Sequence, residues 1–164
     1  MKKNLIVLLL CSFSLLLITL PSCSSDDEEP EAPKKEELTP LSASLFSASP
    51  SPLEAVGGKV PVTINGSFPA NWFHKDATVT IIPVLKYAGG EATGTSKVYR
   101  GESVSGEGTV IKKEAGGDII IQESFNYIPE MKKSELYLRF EVTRDGKSDE
   151  PLPEVKIADG VIAT

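Results

Sequence analysis

The sequence predicts an all-β fold, an antiparallel two-sheet sandwich of seven or eight short strands. Three observations predict it. Apolar and polar residues alternate with period two in several segments after residue 41. Turn-forming residues recur at about the eight-to-twelve-residue spacing of sandwich proteins. No stretch of that region carries the longer apolar period of an amphipathic helix.

Taken in order, the first strand signal is weak and covers 43–48. From 60 to 68, Val60, Val62, Ile64 and Phe68 fall on one face, while Lys59, Pro61, Thr63, Asn65 and Ser67 take the other. Pro61 has no amide to give a ladder, which turns that side toward solvent or an edge. The β-branched run Ala77–Tyr87 predicts a central strand, with Pro83 marking a bulge or a change of sheet. Weaker candidates are 95–100 and 109–113, separated by Gly101 and Gly106. The run 119–127 is a strand announced by Gly116 and Gly117, and 130–134 hints at one helical turn. From 135 to 143 the alternation is cleanest, with Leu136, Leu138, Phe140 and Val142 inward and Tyr137 on the polar face. Asp145-Gly146 then suits a tight hairpin with positive φ at both central positions. A returning strand over 152–157 is roughened by Pro151 and Pro153, which discourage pairing with other chains. The outline is immunoglobulin-like, without the antibody-type disulfide or strand-C tryptophan, because Trp72 falls in a loop.

The first forty residues follow different rules. Lys2 and Lys3 precede an uncharged apolar run over 5–20, the layout of a secretory signal. That run also approaches the length of a membrane-spanning helix, so an uncleaved anchor is the alternative. Leu20-Pro21-Ser22-Cys23 breaks the run and ends in a cysteine after a small residue. By the resemblance of this stretch to the processing site of bacterial lipoproteins, 1–22 is read as a lipoprotein signal peptide, and 23–40 as an acylated Cys23 with an acidic, proline-containing tether. The domain proper is 41–164. With the signal removed, Cys23 is the single remaining cysteine, which leaves no disulfide and no thiolate for metal binding or nucleophilic attack. The tether has almost no large apolar residues and is dominated by charge and proline, so it stays extended and disordered.

Composition excludes some functions. The formal charge of −6 becomes −8 once Lys2 and Lys3 leave with the signal, and the remaining basic residues are scattered among carboxylates. Nucleic-acid binding needs concentrated positive charge and is not expected. His74 is the lone histidine, with only Asp76 near it in sequence, and no Gly-x-Ser-x-Gly elbow is present. The carboxylates form no local pattern of a glycosidase or a calcium loop. The paired glycines precede neither a lysine-serine pair nor a helix, so they read as turns. No catalytic residue, metal site or cofactor is expected. Trp72 and Tyr137 are the candidate ligand contacts. Trp72 with Phe73 more readily plugs the open end of the sandwich, whereas Tyr137 lies on the polar face of its strand.

Leu20-Pro21-Ser22-Cys23 resembles the lipobox of bacterial lipoproteins, with Pro21 where the usual pattern has a small residue. Ser25, Asp26, Asp27, Glu28 and Glu29, directly after the cysteine, resemble the acidic export signal of Bacteroidota-type lipoproteins. The stretches 45–53, 57–62 and 127–136 are similar to amino-terminal domains of larger outer-membrane lipoproteins. Some of those end in an OmpA-type peptidoglycan-binding module, which this chain lacks. The resemblance implies a non-enzymatic binding or structural module, held on the outer membrane by lipid on Cys23 and displayed at the cell surface, with an unidentified protein or glycan partner. It leaves open anchoring in the periplasmic leaflet, as a spacer domain of a longer wall-anchored protein. The apolar end of the chain, with Val161 and Ile162, reads either as the start of a link to such a domain or as a segment tucked into the sandwich. A carboxylate-based hydrolase is the remote alternative.

Overall fold

Strict alternation in the chain becomes strict alternation in burial. In a computed structural model, which describes residues 37–102, 108–149 and 151–163, the inward residues Leu136, Leu138, Phe140 and Val142 are all buried. The expected signal peptide, Cys23 and the acidic run 25–29 lie outside the described residues.

The strands are β1 (Phe46–Ser49), β2 (Leu53–Ala55), β3 (Lys59–Phe68), β4 (Ala77–Tyr87), β5 (Gly90–Thr93) and β6 (Lys97–Gly101). They continue as β7 (Thr109–Ile111), β8 (Gly117–Asn126), β9 (Glu135–Arg144), β10 (Lys147–Ser148), β11 (Leu152–Asp159) and β12 (Val161–Ala163). Two sheets face each other. The small one has the order β1-β3-β8. The large one runs β10-β9-β4-β6-β7, with β11 continuing beside β9 and β5 beside β4. A short parallel pair, β2 with β12, links the start of the domain to its last strand.

This is the expected all-β two-sheet sandwich, and its connections follow the immunoglobulin pattern. In that nomenclature the small sheet is A-B-E and the large one G-F-C-C′. The D strand that flanks E in many such domains has no counterpart among the described residues, and β8 pairs only with β3. Between the sheets, Val60, Val62, Ile64 and Phe68 of β3 and Ile119, Ile121 and Phe125 of β8 meet the inward faces of β4 and β9. Each such large side chain contributes roughly 1.5–3 kcal/mol on full burial. Val161 is also buried in this core, seated by the β2 pairing.

Several expectations shift in detail. The segment 43–48 is only half strand. Ala43–Leu45 is a 3-10 turn whose start is held by Ser42, whose hydroxyl accepts from the Ser44 amide at 3.3 Å. A serine side chain offers the backbone this local partner in place of a ladder. Pro83 makes neither a bulge nor a change of sheet, since β4 pairs with β9 straight through Pro83 and Leu138. On its other side β6 covers 78–81 and β5 covers 84–87, so the missing amide falls where one neighbour replaces the other. The Gly94 amide donates to the Pro83 carbonyl at 2.8 Å at that junction. The hairpin turn after β9 has φ of 49° at Asp145 and 72° at Gly146, both in the left-handed region the Asp-Gly pair was expected to supply. The helical turn is present as the 3-10 segment Pro129–Lys133.

The packed domain also takes in residues from the span read as tether. Leu38, inside that span, is part of the core beside Leu41 at the domain's first position. Among the described residues no helix is long and apolar enough to cross a membrane.

Candidate functional site

The outer face of the large sheet carries the most organised polar surface of the molecule. On β9 the outward residues are Glu135, Tyr137, Arg139 and Glu141, and flanking strands add Lys86, Glu91, Glu154, Lys156 and Asp159. Arg139 is its centre. Its Nε donates to Glu154 Oε1 at 2.7 Å and its Nη2 to Glu91 Oε2 at 2.9 Å, which ties β9 to β11 on one side and reaches β5 beyond β4 on the other. Glu154 also accepts from Lys86 of β4. The Lys86 ammonium stands 4.8 Å from the centroid of the Tyr137 ring, a cation–π contact. The Tyr137 hydroxyl donates to Glu135 Oε2 at 2.8 Å, and Glu135 in turn accepts from Lys156. Lys156 completes the row with Asp159 at 2.6 Å.

Beneath this row is an apolar floor. Val84 points outward on β4, opposite Tyr137 on β9, yet is fully buried and stands apart from the core between the sheets. Val84, Tyr137 and the stem of Lys86 thus form a small mixed patch, with the charges ranged around it.

The electrostatics sharpen the ionic character. Burial pushes the Glu154 carboxyl up, but the hydrogen bonds from Lys86 and Arg139 outweigh it and leave its pKa below the usual carboxylate range. Hydrogen bonds from Lys156 and then Tyr137 lower that of Glu135. Glu91 and Glu154 raise the Arg139 guanidinium, and Asp159 and Glu135 raise Lys156. The Glu154 hydrogen bond raises Lys86, and the bond to Glu135 raises the Tyr137 phenol. Lys86, Arg139, Lys156, Glu135 and Glu154 are each shifted toward their charged forms, and the Tyr137 phenol toward its neutral one. The ion-paired carboxylates and cations of this row are thus held in their charged forms, away from the neutral poise that general acid–base work asks for.

A second feature is a cleft of about 290 Å³ at the start of the domain, lined by residues that include Leu38, Val142, Arg144, Asp149 and Leu152. Its volume is at the lower limit for small-molecule pockets. Arg144 Nε lies 3.0 Å from Asp149 Oδ2 and its Nη1 3.7 Å from Asp76 Oδ2.

Of the two candidate contacts, Tyr137 sits at the middle of the charged row. Trp72 is 6% exposed. It stacks on Phe68 at 5.0 Å and meets Phe73 edge-on at 5.3 Å, and its Nε1 donates to the Thr39 carbonyl at 2.8 Å. That leaves little of its ring for a ligand. His74 holds a turn by accepting from the Ala77 amide through its carbonyl at 3.1 Å. Among the described residues there is no group of three His, Cys, Asp or Glu side chains placed to hold a metal ion.

Arg139, Glu91, Glu154 and Lys86 are residues that the sequence did not single out. Alternation in β9 puts Arg139 on the same face as Tyr137, which is the signal that was available. Their convergence depends on cross-strand register, including the shifts between Leu152 and Val155 and between Lys156 and Ala158 in β11.

The site and the fold define an immunoglobulin-like β-sandwich domain with an ion-paired outer sheet face. No protein-family model, curated protein sequence or solved structure matches this chain.

Proposed function

We propose that the chain is a lipid-anchored, non-enzymatic binding module of the bacterial outer membrane, displayed on the cell surface through acylated Cys23. The observation that carries this reading is the placement of Cys23 itself. It follows an uncharged apolar run and the small residue Ser22, and it precedes the acidic run of Asp26, Asp27, Glu28 and Glu29. Stable anchoring takes more than one acyl chain, which a diacylated or triacylated cysteine provides. The intervening segment, free of large apolar residues, spaces the sandwich from the lipid surface. The outer face of the large sheet, with Tyr137 beside Val84 and charges of both signs around it, is the surface that meets a protein or glycan partner. Fixed charges on strands hold such a surface ready at little further ordering cost.

Acyl labelling and fractionation test the anchor. Cys23→Ser is expected to lose the label and leave the membrane fraction, and a labelled or membrane-bound variant overturns the reading. Protease shaving of intact cells tests display. Digestion is expected on intact cells and is expected to disappear when Asp26 to Glu29 are deleted. Survival of the domain until the outer membrane is opened would place it in the periplasm, as a spacer of the envelope.

A further inference from the structure

A sheet edge that is long, straight and unpaired invites another strand. Besides the four-residue β5, the sandwich has four sheet edges among the described residues, and three of these are blunted. The first, β1, has four residues and ends at Pro50 and Pro52. The second, β7, has three. The third, formed by β10 and β11, is broken by Pro151 and Pro153 and by two register shifts. The fourth, β8, is ten residues long, free of proline, and paired to β3 without a shift.

One hydrogen bond fixes which amides face outward. The Ser124 amide donates to Glu123 Oε1 at 2.9 Å, so it points away from β3. Strand alternation then turns the amides and carbonyls of Gln122, Ile120 and Asp118 toward the same free side. Glu123 blunts only the far end of that edge. Its other oxygen accepts from the Thr95 amide between β5 and β6, and a Cβ at Gly94 would come within 2.7 Å of the carboxylate and displace it. Asp118 to Gln122 remain open, and Ile120, at 67% exposure, is the most exposed large apolar side chain described.

We propose that this edge is a self-association surface, where two copies of the chain pair their β8 strands antiparallel about a two-fold axis at Ile120. The three-stranded sheets then join into one six-stranded sheet. In that register the edge is complementary to itself. Ile120 meets Ile120 of the second copy and is covered, while Asp118 meets Gln122, so a carboxylate faces an amide donor. An axis at Asp118 would set two carboxylates opposite each other. An axis at Gln122 would need the Ser124 amide, which the Glu123 carboxylate already holds. The paired area falls short of the roughly 1,600 Å² of a standard stable interface, so association is weak and depends on concentration.

Cysteine cross-linking in the full chain tests the register. Directly opposed residues stand about 5.5 Å apart between Cα atoms, within reach of a disulfide. Ile120→Cys is expected to give an oxidised dimer above the level of the unsubstituted chain. Asp118→Cys and Gln122→Cys are each expected to give no excess over that level alone and an excess of dimer when mixed. No excess dimer with Ile120→Cys, or cross-linking of Asp118→Cys to itself, overturns the proposal. Sedimentation equilibrium gives an independent reading. The average mass of the unsubstituted chain is expected to rise with concentration. Ile120→Lys, a change at an exposed position that should leave the fold intact, is expected to weaken association at least about tenfold. A chain that stays monomeric throughout, or a lysine variant that associates equally, overturns it too.

Discussion

Two clusters of side chains knit distant parts of this chain together, and they do so by opposite means. At one end of the sandwich Phe68 lies at the centre of an aromatic group, with Trp72 stacked at 5.0 Å, Phe73 edge-on at 5.1 Å and Tyr99 at 5.5 Å. Across the outer face of the large sheet, Arg139 gathers Glu91, Glu154 and, through Glu154, Lys86. The first cluster is buried and apolar, so its contribution to stability is large and insensitive to salt. The second is partly exposed, and ion pairs in such places contribute little net free energy. Stability is thus concentrated between the sheets, and the charged face adds little to it.

The largest effect is expected from removing the hub of the aromatic group. Phe68→Ala should cost about 3–5 kcal/mol in chemical denaturation, the usual range for a buried phenylalanine. A cost under about 1 kcal/mol would mean that the end of the sandwich collapses around the gap, and the contrast between the clusters would fail.

A smaller effect probes how the same group holds the start of the domain. Trp72→Phe keeps the ring stack and removes the indole donor to the Thr39 carbonyl, for an expected loss of about 1 kcal/mol. Hydrogen exchange should localise that loss to residues 37–41. Unchanged protection there would show that Leu38 and Leu41 are sufficient to seat the segment.

The two clusters also differ in how far the sequence revealed them. The strands that frame the core were legible because one face of each is buried, and burial writes period two into β3, β4 and β9. Phe68 stood on the inner face of its strand from the start. Trp72 with Phe73 reads from the sequence as a plug at the open end of the sandwich, and both are buried; its partners were not legible, because Phe68 lies across a turn and Thr39 in a span whose composition reads as tether. The strand β5 was missed for a related reason. Gly90-Glu91-Ala92-Thr93 has no alternation of its own and exists as a strand because β4 lies beside it. The β2–β12 pair joins residues about a hundred positions apart in parallel, which no local pattern encodes. The charged row was the least legible part. Its members sit on four strands, and their meeting depends on register shifts in β11.

On the charged face the expected effects are smaller again. Arg139→Met should cost about 0.2–1 kcal/mol at low salt and less at high salt, because its partners are partly solvated. A double-mutant cycle with Glu154→Gln isolates the pair. A coupling well above about 1 kcal/mol would make the row a structural element like the aromatic group, and a coupling near zero would confirm that its order costs the fold nothing.

The finest distinction is the pH dependence of Glu154. Its carboxyl is lowered from the usual 4.5, since hydrogen bonds from Lys86 and Arg139 outweigh the effect of burial. A group with a depressed folded-state pKa contributes stability that is present above the unfolded value and lost as pH falls through the folded one. Glu154→Gln should therefore be slightly less stable than the unsubstituted chain near neutrality. The gap should close as pH drops below 4.5, where the native side chain becomes protonated and uncharged like glutamine. Denaturation midpoints of both proteins across that range measure it. A gap that persists unchanged into acid would mean that glutamine fails for reasons of shape or hydrogen bonding. The ion pairs of the outer face would then matter to the fold through their geometry and not through their charge.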